Sequence, residues 1–319
     1  MSAFDQLPSG LTIGHAGLGQ RGANIEPPST ALHDGDTAAV RAIGNLSVRL
    51  LNMDTAEVSF GFPPEGKRFV PLSDPAWKDF LTDPYAEKFG PLHLDAELKV
   101  HLRNRLGPDT ASNHAKYAEL GRTAFINEVN ADITALGKTN DSFKFFLAFA
   151  HEALDRYGRL LAFINREDPS PSRPPDYNVR QLENGVACPY FIWPNVGKYS
   201  GKTLLDLVLK PNKAREWAAE DKYLKQVRSA AASARQKNLG IFDKHDPLKL
   251  APFELRYLAQ RRAPERWVID LSKSDDVLVT PQRYYHIPHM EDRLFVPAEY
   301  VPLFVNKGWR TQAATAAVA

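Results

Sequence analysis

Val48-Arg49-Leu50-Leu51-Asn52-Met53-Asp54-Thr55-Ala56-Glu57 begins as a β-strand and closes on two carboxylates. Working outward, Thr37 to Met53 reads as a hairpin, because two runs with β character flank Gly44-Asn45, a pair able to adopt the dihedrals of a tight turn. Just ahead of it stands Asp34-Gly35-Asp36-Thr37, a turn by composition. Pairing the strands brings Asp36 toward Asp54, and two carboxylates held together repel unless a cation lies between them. Hard oxygen donors of this kind suit calcium or magnesium rather than zinc. Strand parity places Arg49 on the face of Leu51 and Met53, where a guanidinium needs an anion, either a carboxylate or a ligand phosphate.

The rest of the chain supplies the frame. Residues 1–30 are rich in Gly, Pro and Ser, lack periodicity, and are expected to form an N-terminal arm. After Glu57, Pro63-Pro64 and Gly66 break the chain, and Ser73 to Phe89 and Leu94 to Leu106 suggest two short helices, so residues 58–107 read as a helical insertion. Asp109 to Leu136 reads as a longer helical region broken near Gly121. Phe143 to Ala150 and Arg159 to Asn165 read as strands, and Asn178 to Gly185 as a short helix capped by Gly185. The clearest helix is Lys213 to Lys237, with Trp217, Leu224, Val227, Ala231 and Ala234 on one stripe. Residues 243–319 form a C-terminal extension that mixes a helix with short strands. Short strands followed by helices favour a small decorated β-barrel over a βαβ sheet.

Two further segments carry candidate chemistry. In Asp155-Arg156-Tyr157-Gly158-Arg159, Gly158 marks a turn and Arg159 opens the next strand. Pro189-Tyr190-Phe191-Ile192-Trp193-Pro194 is aromatic-rich, and Phe191 and Trp193 share a face by parity, which makes them candidates for stacking on bases. His286 and His289 lack a third ligand at a persuasive spacing. His151-Glu152 has no second histidine at helical spacing, so neither reads as a zinc site.

In this order the segments resemble the staphylococcal nuclease (thermonuclease) family, whose pattern has a DGDT turn, an R-x4-D-T-P-E run, a D-K/R-Y-G-R turn and a late K-P-N loop. Asp34 to Thr37 matches the first intact, and Arg49, Asp54, Thr55 and Glu57 match the second, with Ala56 where proline is usual. Asp155 to Arg159 matches the third. The fourth has two matches, Trp193-Pro194-Asn195 and Lys210-Pro211-Asn212. The likeness covers about 34–57 and 143–242. It implies an α+β fold, an OB-fold-like five-stranded barrel with three helices, so that 31–242 is the nuclease-like domain, interrupted by the insertion and followed by the extension. It also implies hydrolysis of DNA and RNA with Ca2+, Mg2+ or Mn2+ being possible. Asp36, Asp54 and the Thr55 carbonyl are then the expected metal ligands, and Glu57 activates or orients water. Arg49 and Arg159 hold the phosphate, Tyr157 contacts a terminal phosphate beside Arg156, and Phe191 and Trp193 lie in the segment that holds the nucleotide.

Departures from the family bear on this reading. Ala56 removes a rigid turn residue next to Glu57. Arg159 stands 102 residues after Glu57, about twice the family separation, and the insertion that accounts for the excess is a candidate lid over the site. The alternative function is an inactive module of the same barrel that binds nucleic acid or a protein. Retention of Arg49, Glu57 and Arg159 favours an enzyme.

The 319 residues are 43% hydrophobic and 24% charged, enough for a sizeable core, with a net charge of +2 that does not announce a phosphate-gripping surface. Positive charge concentrates between Lys198 and Lys237, where ten Lys or Arg face four Asp or Glu. Cys188 is the only cysteine, which excludes an internal disulfide. No apolar run suits a bilayer and Met1 to Gln20 lacks the pattern of a secretory signal, so a cytoplasmic location and no membrane partner are expected. The extension is the candidate surface for a protein partner or a homodimer.

Overall fold

Alternating apolar residues roll five strands into a closed barrel: β1 (Thr12–Leu18), β2 (Thr37–Arg41), β3 (Asn45–Leu50), β4 (Lys144–Leu154) and β5 (Leu160–Arg166). The computed structural model describes residues 4–6, 12–41, 45–66, 68–155 and 157–312. Antiparallel pairs join β1 to β4, β4 to β5, and β2 to β3, while β5 runs parallel to β3. A short ladder, Gly17 to Arg41 and Leu18 to Val40, closes the ring between β1 and β2. The result is an α+β fold built on an OB-fold-like barrel. One parity of each strand fills the interior, with Leu18, Val40, Val48, Leu50, Phe145, Leu147, Ala162 and Ile164 buried in one cluster. The other parity of β4 and β5 forms a small outer cluster of Ala148, Ala150, Leu161 and Phe163 with Leu51.

Helices close the barrel through their apolar faces. α1 (Thr110–Ala135) contributes Phe125, Val129 and Ile133, α2 (Tyr177–Glu183) contributes Tyr177, Val179 and Leu182, and α3 (Lys222–Gln236) contributes Leu224, Val227 and Ala231. The insertion holds a small hairpin, Ser59–Gly61 with Phe69–Pro71, and helices Pro75–Thr82 and Ala96–Arg103. It shares a second core with the C-terminal segment, in which Trp77, Phe80, Leu98 and Leu102 join Leu250, Leu255, Leu258 and Tyr284. The C-terminal segment also enters the first core through Ile269, Leu294, Phe304 and Trp309.

Three expectations need correction. Residues 12–18, expected within an arm, form β1, because Ala16 and Leu18 point inward and the strand supplies the closing edge. The long helix expected over Lys213 to Lys237 is two helices, Ala214–Glu220 and α3, since Asp221 leaves the helical conformation and caps the second by accepting from the Leu224 N–H at 2.8 Å. Gly121 does not break α1. It opens room for a neighbour, as a Cβ on Gly35 would come within 3.0 Å of the Gly121 carbonyl carbon, and Gln181 donates to the carbonyls of both glycines. Of the turn expected at Gly44-Asn45, Gly44 lies outside the described residues; β2 and β3 pair in the expected hairpin register.

Ending the chain at residue 242 removes apolar side chains from both cores. The truncated protein is expected to show no cooperative thermal unfolding by circular dichroism. A native-like sharp transition would mean that the first 242 residues fold without the extension.

Candidate functional site

The hairpin does the first part of the assembly. Thr37 and Arg49 face each other across β2 and β3, and the Leu50 N–H donates to the Asp36 carbonyl at 2.9 Å. The chain then turns sharply at Asn52, whose positive φ of 64° reverses the parity. Thus Met53 enters the main core although Arg49 does not. Asn52 is held by its amide donating to the Val196 carbonyl at 2.6 Å and its carbonyl accepting from the Tyr190 N–H at 3.0 Å. Asp54 follows in a short ladder with Cys188, fully buried and folded back on Arg49.

Two guanidiniums hold the carboxylates. Arg49 Nη2 lies 2.5 Å from Asp54 Oδ1 and 3.3 Å from Asp36 Oδ2, so both expected metal-binding aspartates reach one nitrogen atom. Arg256, on α4 (Pro252–Ala259) of the C-terminal segment, grips Asp54 with a two-pronged fork, Nη1 to Oδ1 at 2.8 Å and Nη2 to Oδ2 at 2.7 Å. Its Nη1 also donates to Glu57 Oε1 at 2.7 Å. Asp36 accepts from the Thr55 N–H and the Thr37 hydroxyl. Burial works to raise the Asp36 carboxyl, but Arg49 first, with the hydrogen bonds and Arg256, holds it below its ordinary value. Burial, then the charges of Asp36 and Glu57, push Asp34 well up. Glu57 is also raised, chiefly by burial, against the pull of Arg256. The Asp54 and Glu57 charges keep Arg256 protonated despite its burial.

Ala56 leaves Glu57 without the expected proline, and α1 supplies another restraint. The Glu57 N–H donates to His114 Nε2 at 2.9 Å, so the buried ring is neutral with its proton on Nδ1. Burial, reinforced by Arg256, pushes His114 down to about 3.

The other expected site residues stand elsewhere. Arg159 follows Asp155, which accepts from its Nε at 2.8 Å, and its guanidinium lies over the exposed Tyr157 ring. Among the described residues its ion pair is with Asp155, not with the carboxylate cluster. Register places it just before β5, with the parity of Leu161, the neighbour of Arg49. Arg156 lies outside the described residues. Phe191 and Trp193 are corrected outright as stacking candidates: both are buried, Phe191 in a ladder with Leu294 and Trp193 against Tyr300 and Phe304, with its indole N–H on the Leu207 carbonyl. Alternation identified a shared face, but that face belongs to the core. Of the basic run, Arg228 and Arg235 pair with Asp292 and Glu291 of the C-terminal segment. Arg256 and His114 were not legible as site residues, since neither lies in a motif.

The donor chemistry fits a divalent cation. Asp36, Asp54 and Glu57 bring three carboxyl groups to two guanidiniums, and burial first, then the neighbouring negative charges, pushes Asp34 and Glu57 up. Among the described residues no three His, Cys, Asp or Glu side chains form a ready-made cage, so a divalent cation here would need backbone oxygen beside Asp36 and Asp54. None of the described helices is long and apolar enough to cross a membrane.

No known family model matches the chain. Over 197 residues, 62% of its length, it is 29% identical to Endonuclease YhcR of Bacillus subtilis (strain 168). The chain covers 14% of that protein.

His114 couples the site to acid. Its folded pKa of about 3 lies below its ordinary 6.5, so the unfolded chain binds the extra proton between these values and stability is lost as pH falls through that window. Urea unfolding is expected to show this loss, on the order of 5 kcal/mol in full, and His114→Gln is expected to flatten it by about one proton. An unchanged slope in the variant would show that His114 is not the group responsible.

Proposed function

We propose that the chain is a metal-dependent nuclease of the staphylococcal nuclease type, cleaving phosphodiester bonds in DNA or RNA, with calcium as the cofactor. The observation that carries this reading is the convergence of Asp36, Asp54 and Glu57 on Arg49 and Arg256 within an OB-fold-like barrel. The similarity to an endonuclease supports it.

Asp36, Asp54 and the Thr55 carbonyl would hold the ion. When bound, a divalent cation supplies fixed positive charge beside the nonbridging phosphate oxygens. Glu57 takes the proton from the attacking water, and its raised pKa makes its carboxylate a stronger base than an ordinary glutamate. Arg49 donates to the oxygens that gain charge as water attacks in line, and it remains charged because Asp36 and Asp54 outweigh its burial. Arg159 exchanges Asp155 for the phosphate, a swap that its partial exposure permits. Tyr157, exposed at the same turn, contacts a terminal phosphate. The insertion borders the site through its link to Glu57 and limits which substrates reach it.

Digestion of single- and double-stranded substrates with calcium, magnesium, manganese or chelator tests the reading. Activity is expected to need the ion. Glu57→Gln is expected to lose ~10²–10⁴-fold, and Arg159→Ala about 10²–10³-fold. Equal rates for the wild type and both variants would refute the assignment.

A further inference from the structure

We infer that Arg256 is a built-in counter-cation that competes with the divalent ion for Asp54, which makes the C-terminal segment a determinant of metal affinity. The inference rests on the proposed metal site and deepens it.

Asp54 has no solvent exposure, and among the described residues the partners of its carboxylate are positive: one oxygen meets both Arg49 Nη2 and Arg256 Nη1, the other meets Arg256 Nη2. A divalent ion approaching either oxygen would add a third positive centre to one carboxylate. Like charges at such range repel strongly where water is scarce. Arg49 has no other strand position to take, since β3 fixes its backbone opposite Thr37. Arg256 differs in two respects. Its side chain keeps about a fifth of its exposure, and its Nη1 already bridges to Glu57 Oε1 at 2.7 Å. It can therefore release Asp54 while keeping a carboxylate partner.

The position of Arg256 is well determined. Glu254, two residues earlier on α4, caps the helix by accepting from the Ala251 N–H and takes Arg105 of the insertion at 2.7 Å and the Tyr284 hydroxyl at 2.6 Å. Phe253 stacks on Tyr190, the residue whose N–H holds the Asn52 carbonyl. Insertion and C-terminal segment thus meet around α4 and aim its arginine at the two carboxylates. A divalent ion at Asp54 would require the Arg256 fork to open, which would free Nη2 as a donor while Nη1 kept Glu57.

Calorimetric titration of the metal-free full chain with calcium chloride, at fixed pH and ionic strength, tests the inference. Arg256→Gln is expected to bind calcium at least tenfold more tightly than the wild type. Arg256→Lys keeps the charge but cannot bridge both carboxylates with a fork, so it is expected to gain a smaller but measurable factor. Calcium should also raise the melting temperature of each variant more than that of the wild type. If Arg256→Gln does not fold without metal, the lysine variant carries the comparison. Affinities equal to or below wild type would overturn the competition while leaving the metal site standing. Wild-type affinity in Arg256→Lys with tighter binding in Arg256→Gln would reduce the effect to long-range charge and also overturn it. Absence of calcium binding in all three proteins would overturn the metal site itself.

Discussion

The buried Asp54 carboxylate and the two guanidiniums that hold it organise the molecule. An ionised carboxylate without solvent is tolerated only when its charge is answered at close range, and here one answer comes from the barrel and the other from the far end of the sequence. Arg49 arrives through hairpin register, and Arg256 arrives through a helix that must be placed by packing. The acidic cluster therefore ties the barrel, the insertion and the C-terminal segment to one another.

That dependence explains the two-core architecture. The first core fills the barrel and extends to Phe304 and Trp309, so the extension seals barrel and helices alike. The second core lies between insertion and extension, and it brings α4 to Glu57. Glu254 and Arg105 form its polar seam, where a glutamate held at about 2 by Arg105, His101 and Tyr284 stays ionised against its own burial. A fold of this kind makes the extension, through Arg256, and the insertion, through Arg105 on Glu254, part of one charged network with the barrel carboxylates.

Much of the candidate site was legible as a cluster because its members lie close in sequence. Asp36, Arg49, Asp54 and Glu57 sit on two adjacent strands and the turn that follows, and period-two alternation with turn chemistry suffices to bring them together. The barrel strands after Phe143 were legible for the same reason. The first strand was not, since Gly, Pro and Ser mask an alternation that only becomes informative once β4 pairs with it. Phe191 and Trp193 show the limit of parity: it reports which residues share a face but not whether that face meets solvent or a second sheet.

By itself the sequence determined the hairpin, its acidic turn, the partly buried Arg49 and the barrel-plus-helix class, all consequences of local dihedrals and periodicity. Only the tertiary structure decided which cations answer the carboxylates. Arg256 lies 202 residues from Asp54 and His114 lies 57 from Glu57. Contacts over such separations are fixed by the packing of two shared cores, because no local preference of the backbone can specify where a distant helix will present its side chain.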